Sequence, residues 1–136
     1  MIKPIMKSEF FLRLPSEDAG PDDAATGQDL LDTLHEHEHE CVGLAANMIG
    51  VRKRIICVKD GNRALLMYNP QILEQVNSYQ TSEGCLSLSG ERPCTRYRRI
   101  KVEYLDENFV HRIKNFSGYT AEIIQHEIDH CQGVVI

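Results

Sequence analysis

Near the C-terminus, the run Gln125-His126-Glu127-Ile128-Asp129-His130 sets two imidazoles four residues apart, with a carboxylate beside the first. On a helix, residues four apart lie one above the other on the same face, so two neutral imidazoles can grip one small divalent cation. Glu127 stands about 100° further round, too far to be a natural third ligand on that face. It is near enough to take a proton from a water held there, the division of labour in helical His-Glu-x-x-His motifs. A charged, solvent-facing helix end would use the same residue types, and the flanks separate the two readings. Tyr119, Ile123, Ile124 and Ile128 recur at helical spacing and predict a helix over Thr120 to Cys131, with Ser117 and Gly118 at its entry and Gly133 placed to end it. The isoleucines flank both histidines, which puts the pair at the edge of a buried stripe, sheltered from bulk water.

A catalytic site of this kind takes three protein ligands and keeps a fourth position open. The best third candidate is Cys85, in Glu83-Gly84-Cys85-Leu86-Ser87, at the end of a β-like stretch that begins at Gln71. A lone cysteine is ordinarily a small buried hydrophobe. Here five cysteines (Cys41, Cys57, Cys85, Cys94 and Cys131) form no even-numbered framework, and no charged-then-apolar leader opens the chain. Both features lead to the expectation of a reduced, cytosolic setting with thiols free for metal or chemistry. A Cys85 thiolate with neutral His126 and His130 suits Fe²⁺ or Zn²⁺ better than Mg²⁺ or Ca²⁺.

Three segments taken together resemble a known family. Val42-Gly43-Leu44-Ala45-Ala46, Glu83-Gly84-Cys85-Leu86-Ser87 and His126-Glu127-Ile128-Asp129-His130 are similar, in order and spacing, to the signature motifs of peptide deformylases. The Asn69-Pro70 pair and the Arg96-to-Asp106 strand agree as well, and the likeness covers nearly the whole chain. The resemblance implies a cytoplasmic enzyme of bacterial type, a metal-dependent hydrolase that removes the N-formyl group from the initiator methionine of nascent polypeptides. It implies one divalent metal per chain, commonly Fe²⁺ and replaceable by Zn²⁺, Ni²⁺ or Co²⁺, on Cys85, His126 and His130. Glu127 takes the role of the family's proton-carrying glutamate. The backbone N–H of Leu86, after the cysteine, becomes an oxyanion donor. Arg92 aligns with a family arginine near the substrate mouth, beside the competing reading of an ordinary surface arginine. The partners implied are an N-formyl-methionyl peptide or nascent chain, with transient proximity to the ribosome. The strand edge Val42-Gly43-Leu44 can add a peptide strand by backbone hydrogen bonding, Gly43 allowing close approach. Val42 and Ile123 would form the apolar pocket for methionine.

The chain departs from the family where a glutamine side chain supplies a second oxyanion donor. Met48 stands there, two residues beyond Ala45-Ala46, and methionine donates no hydrogen bond. Losing one such donor costs about 10²–10³ in rate. If residues 41 to 48 form a strand, Asn47 points to the face opposite Met48 and reaches the site only through a bulge. Cys41 in place of glycine and Ser89 in place of proline are smaller departures. Met48 thus keeps two other readings open: a related metal amidase or peptidase with an altered substrate, and a weakly active or non-catalytic metal-binding homologue. Glu127 speaks against the last, since a structural site needs no base.

The elements that must position these residues read as an α+β fold, antiparallel strands packed around the C-terminal metal-binding helix, with an N-terminal helix. The 136 residues make one domain. Ala19 to Gln28 reads as a loop, and Gln28 to Glu40 as a helix with Leu30, Leu31 and Leu34 inward. Arg54 to Val58 and Ala64 to Tyr68 read as strands joined at Asp60-Gly61-Asn62, a strong hairpin signal. Arg98 to Leu105 alternates as a half-buried strand, and Asp106-Glu107-Asn108 turns the chain into Phe109 to Phe116. Asp129 is a candidate partner of Arg96 or Arg98, orienting the helix. His35 and His39 suggest a second metal site, but with no convergent third ligand the run reads as a solvated helix end. The net charge of −5 gives no basic footprint for direct nucleic-acid contact. No apolar run approaches the roughly 20 residues that span a membrane. The chain stops at Ile136, short of the further segment many family members carry; all ligands precede it, so the site is expected not to need one.

Overall fold

Asp60-Gly61-Asn62 turns the chain where the sequence indicates. In the computed structural model, which describes residues 1–135, β2 (Ile55–Asp60) and β3 (Arg63–Cys85) pair antiparallel from Asp60 opposite Arg63. Gly61 has φ +65° at the first of the two turn residues, where an L side chain is strained. β1 (Gly43–Ala45), β4 (Leu88–Leu105) and β5 (His111–Ser117) complete an antiparallel sheet in the order β1-β2-β3-β4-β5. α1 (Glu9–Leu12) and α2 (Ala24–Glu36) precede the sheet and α3 (Gly118–Cys131) follows it. This is the expected α+β arrangement.

The C-terminal helix lies against β1, β2 and β4, and its inner face sets the core. Ala121, Ile124 and Ile128 are buried with Leu44, Ile56, Val58, Ile100 and Val102. Gln125 fixes how it docks: its Oε1 accepts from the Tyr97 N–H at 2.8 Å and its Nε2 donates to the Tyr97 carbonyl at 2.8 Å. A buried side-chain amide here pairs with β4 as a neighbouring strand would.

Several boundaries differ from the sequence expectation, each for a physical reason. The Gly-Pro-Asp-Asp run is not a loop: Pro21–Asp23 is a 3₁₀ turn leading straight into α2 at Ala24, with the Asp23 carboxylate accepting from the Gly20 N–H at 2.8 Å. Proline and acidic residues suit a helix N-terminus. The same helix ends at Glu36 rather than Glu40. Glu36, Glu38 and Glu40 would crowd negative charge at the negative end of the helix dipole. β3 runs unbroken through the two expected stretches, bulging at Asn69, whose φ is +55° and whose side chain pairs with both the N–H and the carbonyl of Ala19. β4 begins at Leu88, ten residues before the expected Arg98. Ile136 lies outside the described residues. No helix among the described residues is long and apolar enough to cross a membrane.

Candidate active site

α3 brings the two imidazoles onto one face, and their Nε2 atoms stand 3.1 Å apart. Two tetrahedral ligands, each about 2.0–2.1 Å from one ion, stand roughly 3.3 Å apart, so the pair fits a shared cation. One nitrogen from each ring and a Glu127 carboxylate oxygen all lie within 4.8 Å of one another. Cys85 is not part of that close group. It sits at the end of β3, half-buried, with its thiol beside the His126 ring.

The partners of each group show what they are prepared for. His126 Nδ1 is 2.7 Å from Glu83 Oε1. Arg96 grips the same carboxylate, Nη2 to Oε1 at 2.7 Å, and reaches Asp129 Oδ2 at 2.7 Å with Nη1. The expected Asp129 pairing is therefore with Arg96. His130 Nδ1 and Glu127 Oε1 are buried with no hydrogen-bond partner among the described residues. Such atoms need an ion, a water or a substrate.

Electrostatics agree with the geometry. Burial works against Glu83 ionisation, but His126 and Arg96 hold its carboxyl far below the usual range. Burial raises the Glu127 carboxyl to about 7. Burial and the neighbouring His126 charge lower His130 to about 3, leaving it neutral, the form in which an imidazole can bind a metal. His126 and Cys85 behave as a pair: burial opposes charge on both, yet contact with the ring lowers the thiol, while Cys85 and Glu83 raise the imidazole. A thiolate-favouring cysteine against His126, one of two convergent imidazoles, offers donors that could hold Fe²⁺ or Zn²⁺.

A cavity of about 690 Å³ opens over these groups, lined by Cys85, Leu86, His126, Glu127, Val42, Gly43, Ile123 and Met48 among others. Gly43 packs against the helix so closely that an added Cβ would meet Ile123 Cγ2 at 2.7 Å and Glu127 Oε2 at 2.9 Å. Two candidates lie elsewhere. Leu44 is buried in the core rather than on the cavity wall, and Arg92 lies on β4, with Nη2 4.0 Å from Glu9.

Residues 41 to 48 are not one strand. β1 ends at Ala45 and Ala46–Ile49 coils into a 3₁₀ turn closed by Gly50 at φ +86°. Met48 is buried on the cavity wall, its sulfur 3.5 Å from the Ala45 N–H. The Asn47 side chain donates instead to the His130 carbonyl at 2.9 Å, so it does not replace the missing glutamine. Sequence reasoning missed Glu83 as the partner of His126. The signal was there, since residues two apart on a strand share a face and Glu83 must therefore accompany Cys85.

Comparison with known proteins gives the same picture. The family model described as polypeptide deformylase matches residues 6–136. A peptide deformylase from Clostridium beijerinckii is 51% identical over 136 residues, the whole of both chains. Peptide deformylase 1 of Clostridium perfringens is 39% identical over 111 residues, covering 79% of this chain and 74% of that protein. Among solved structures, peptide deformylase from Thermotoga maritima superposes with a TM-score of 0.89 at 28% identity, covering 99% of this chain and 95% of that one. The class I type b peptide deformylase from Acinetobacter baumannii bound to Met-Ala-Ser gives a TM-score of 0.87 at 30% identity, covering 99% and 97%. These relatives favour deformylation over an altered substrate or a non-catalytic role. A helix that converges two imidazoles beside a buried carboxyl, within a sequence akin to its relatives from end to end, makes this chain a member of the polypeptide deformylase family, a metal-dependent hydrolase of N-formyl amide bonds.

Proposed function

We propose that Cys85, His126 and His130 hold the one divalent ion with which this hydrolase removes the formyl group from the initiator methionine of nascent polypeptides, and that Glu127 carries the proton. The observation behind this reading is the 3.1 Å approach of the two Nε2 atoms beside a buried Glu127 oxygen that has no partner among the described residues. Fe²⁺ is the proposed native ion, with Zn²⁺, Ni²⁺ or Co²⁺ as substitutes, on the strength of the thiolate and imidazole donors. When bound, the ion supplies a Lewis acid that polarises the formyl carbonyl and brings water acidity toward neutrality.

The chain's own residues account for the rest. A carboxyl near 7 can accept a proton from the attacking water and return it to the departing amine nitrogen at neutral pH. The new bond joins the water oxygen to the formyl carbon, the C–N bond breaks, and formate and a free α-amine leave. The Leu86 N–H donates to the developing oxyanion. Met48 offers no donor, which places this oxyanion hole one hydrogen bond short of the family pattern.

β1 is an edge strand, and its outer edge at Gly43 is the proposed rim for an extended peptide. Val42 and Ile123 on the cavity wall suit the methionine side chain. The chain works as one domain on nascent chains in the cytoplasm, transiently near the ribosome. Its acidity argues against direct nucleic-acid contact. Anaerobic purification with metal analysis, followed by formyl-Met tripeptide turnover, tests the ligand set. The expected result is about one metal per wild-type chain with turnover, and loss of both in Cys85→Ala. A Cys85→Ala protein that keeps metal and rate would remove Cys85 from the site.

A further inference from the structure

None of the chemistry above uses a residue before Val42, yet the N-terminal segment is tied to two separate parts of the cleft. The Met6 N–H donates to the Met48 carbonyl at 2.7 Å. The next residue, Lys7, donates from its ammonium to the Leu86 carbonyl at 2.7 Å, across 79 positions of sequence. Met48 and Leu86 occupy the two places from which the family draws its oxyanion donors. They belong to different elements, the Ala46–Ile49 turn and the two-residue turn between β3 and β4, and no hydrogen bond among the described residues joins those turns directly.

Within the β3–β4 turn the Ser87 and Leu88 backbone N–H groups reach back to the Cys85 sulfur, a weaker acceptor than a carbonyl oxygen. The pairing register shifts between Gly84 and Cys85, and the buried Ser87 hydroxyl has no partner among the described residues. An ammonium-to-carbonyl hydrogen bond is charge-assisted and stronger than a neutral one. Oxyanion stabilisation depends on donors held in place before the charge develops.

We propose that Lys7 is a positioning residue for the oxyanion hole: together with the Met6–Met48 hydrogen bond it braces the Leu86-Ser87 turn against the Ala46–Ile49 turn. The proposal rests on Leu86 being an oxyanion donor. Because no donor comes from residue 48, the placement of the Leu86 N–H carries more of the work here. Lys7 acts through Leu86 and touches no substrate.

The test compares Lys7→Met, which keeps the stem and removes the donors, with Lys7→Arg, which keeps a charged donor. Each holoenzyme is measured for formyl-Met tripeptide kinetics, metal content, Tm and amide hydrogen exchange. In Lys7→Met, kcat falls about tenfold at unchanged KM, metal and Tm. Exchange at residues 85–88 quickens while exchange in β2 does not change. Lys7→Arg restores most of both. Wild-type kcat and exchange in Lys7→Met would overturn the brace, as would a fall in Tm with exchange raised throughout the chain. Exchange at 85–88 judges the brace even if wild-type protein fails to deformylate, an outcome that would count against the proposed function instead.

Discussion

His126 Nδ1 meets Glu83 Oε1 at 2.7 Å, and Arg96 Nη2 donates to that same oxygen at 2.7 Å. Against the cost of burial, His126 and Arg96 together keep Glu83 ionised, so Glu83 can only accept. The Nδ1 proton of His126 is thereby fixed, and its Nε2, 3.1 Å from that of His130, is the nitrogen left to meet an ion. Partners of this kind, behind a ligating histidine, typically tune metal affinity by about 10–100-fold. Glu83→Gln is expected to weaken metal retention by that factor with α3 intact, as competitive chelator titration and far-UV circular dichroism can measure. Unchanged metal affinity would mean that this contact does not orient His126.

Arg96 joins Glu83 to Asp129 while only 5% of its side chain is exposed. Breaking a buried pair from one side leaves the other charge uncompensated and costs about 3–5 kcal/mol. Arg96→Met should lower unfolding free energy by that order in urea titration. A loss below about 1 kcal/mol would show that Glu83 and Asp129 find other partners or water.

Asn47, 1% exposed, ties the Ala46–Ile49 turn to the carbonyl of a proposed metal ligand at 2.9 Å. Removing one partner of a buried hydrogen bond costs about 1–3 kcal/mol. Asn47→Ala is expected to lose that much stability and to release metal more readily. Asn47→Asp should fare worse, since a carboxylate cannot donate to the His130 carbonyl.

At Gly43, β1 packs tightly against α3. A methyl group there would press on the Glu127 carboxylate, and displacements near 1 Å at a reacting group cost about 10² in rate. Gly43→Ala should therefore lower kcat/KM by about that factor while retaining metal and fold. Rates within threefold of wild type would show that Ile123 and Glu127 can yield.

What the sequence showed clearly came from patterns that coincide. In α3, isoleucine spacing and histidine spacing share one period, and the helix lies where they indicate. The β2–β3 hairpin follows from a glycine where positive φ is required. The outer half of β4 was illegible because residues 89, 91, 93 and 95 are all exposed and no apolar alternation marks a strand. Met48 and Asn47 looked like opposite faces of a strand because nothing local announces the 3₁₀ turn except Gly50, which closes it. The Lys7–Leu86 contact, 79 positions apart, leaves no local trace at all.

The most direct test of the active site is single-turnover deformylation of a formyl-Met tripeptide by wild type and Glu127→Gln, each purified without oxygen and assayed for metal. The expected result is about one metal per chain in both proteins and a loss of about 10²–10⁴ in rate in Glu127→Gln alone. Comparable rates at equal metal content would contradict the proton-carrying role of Glu127.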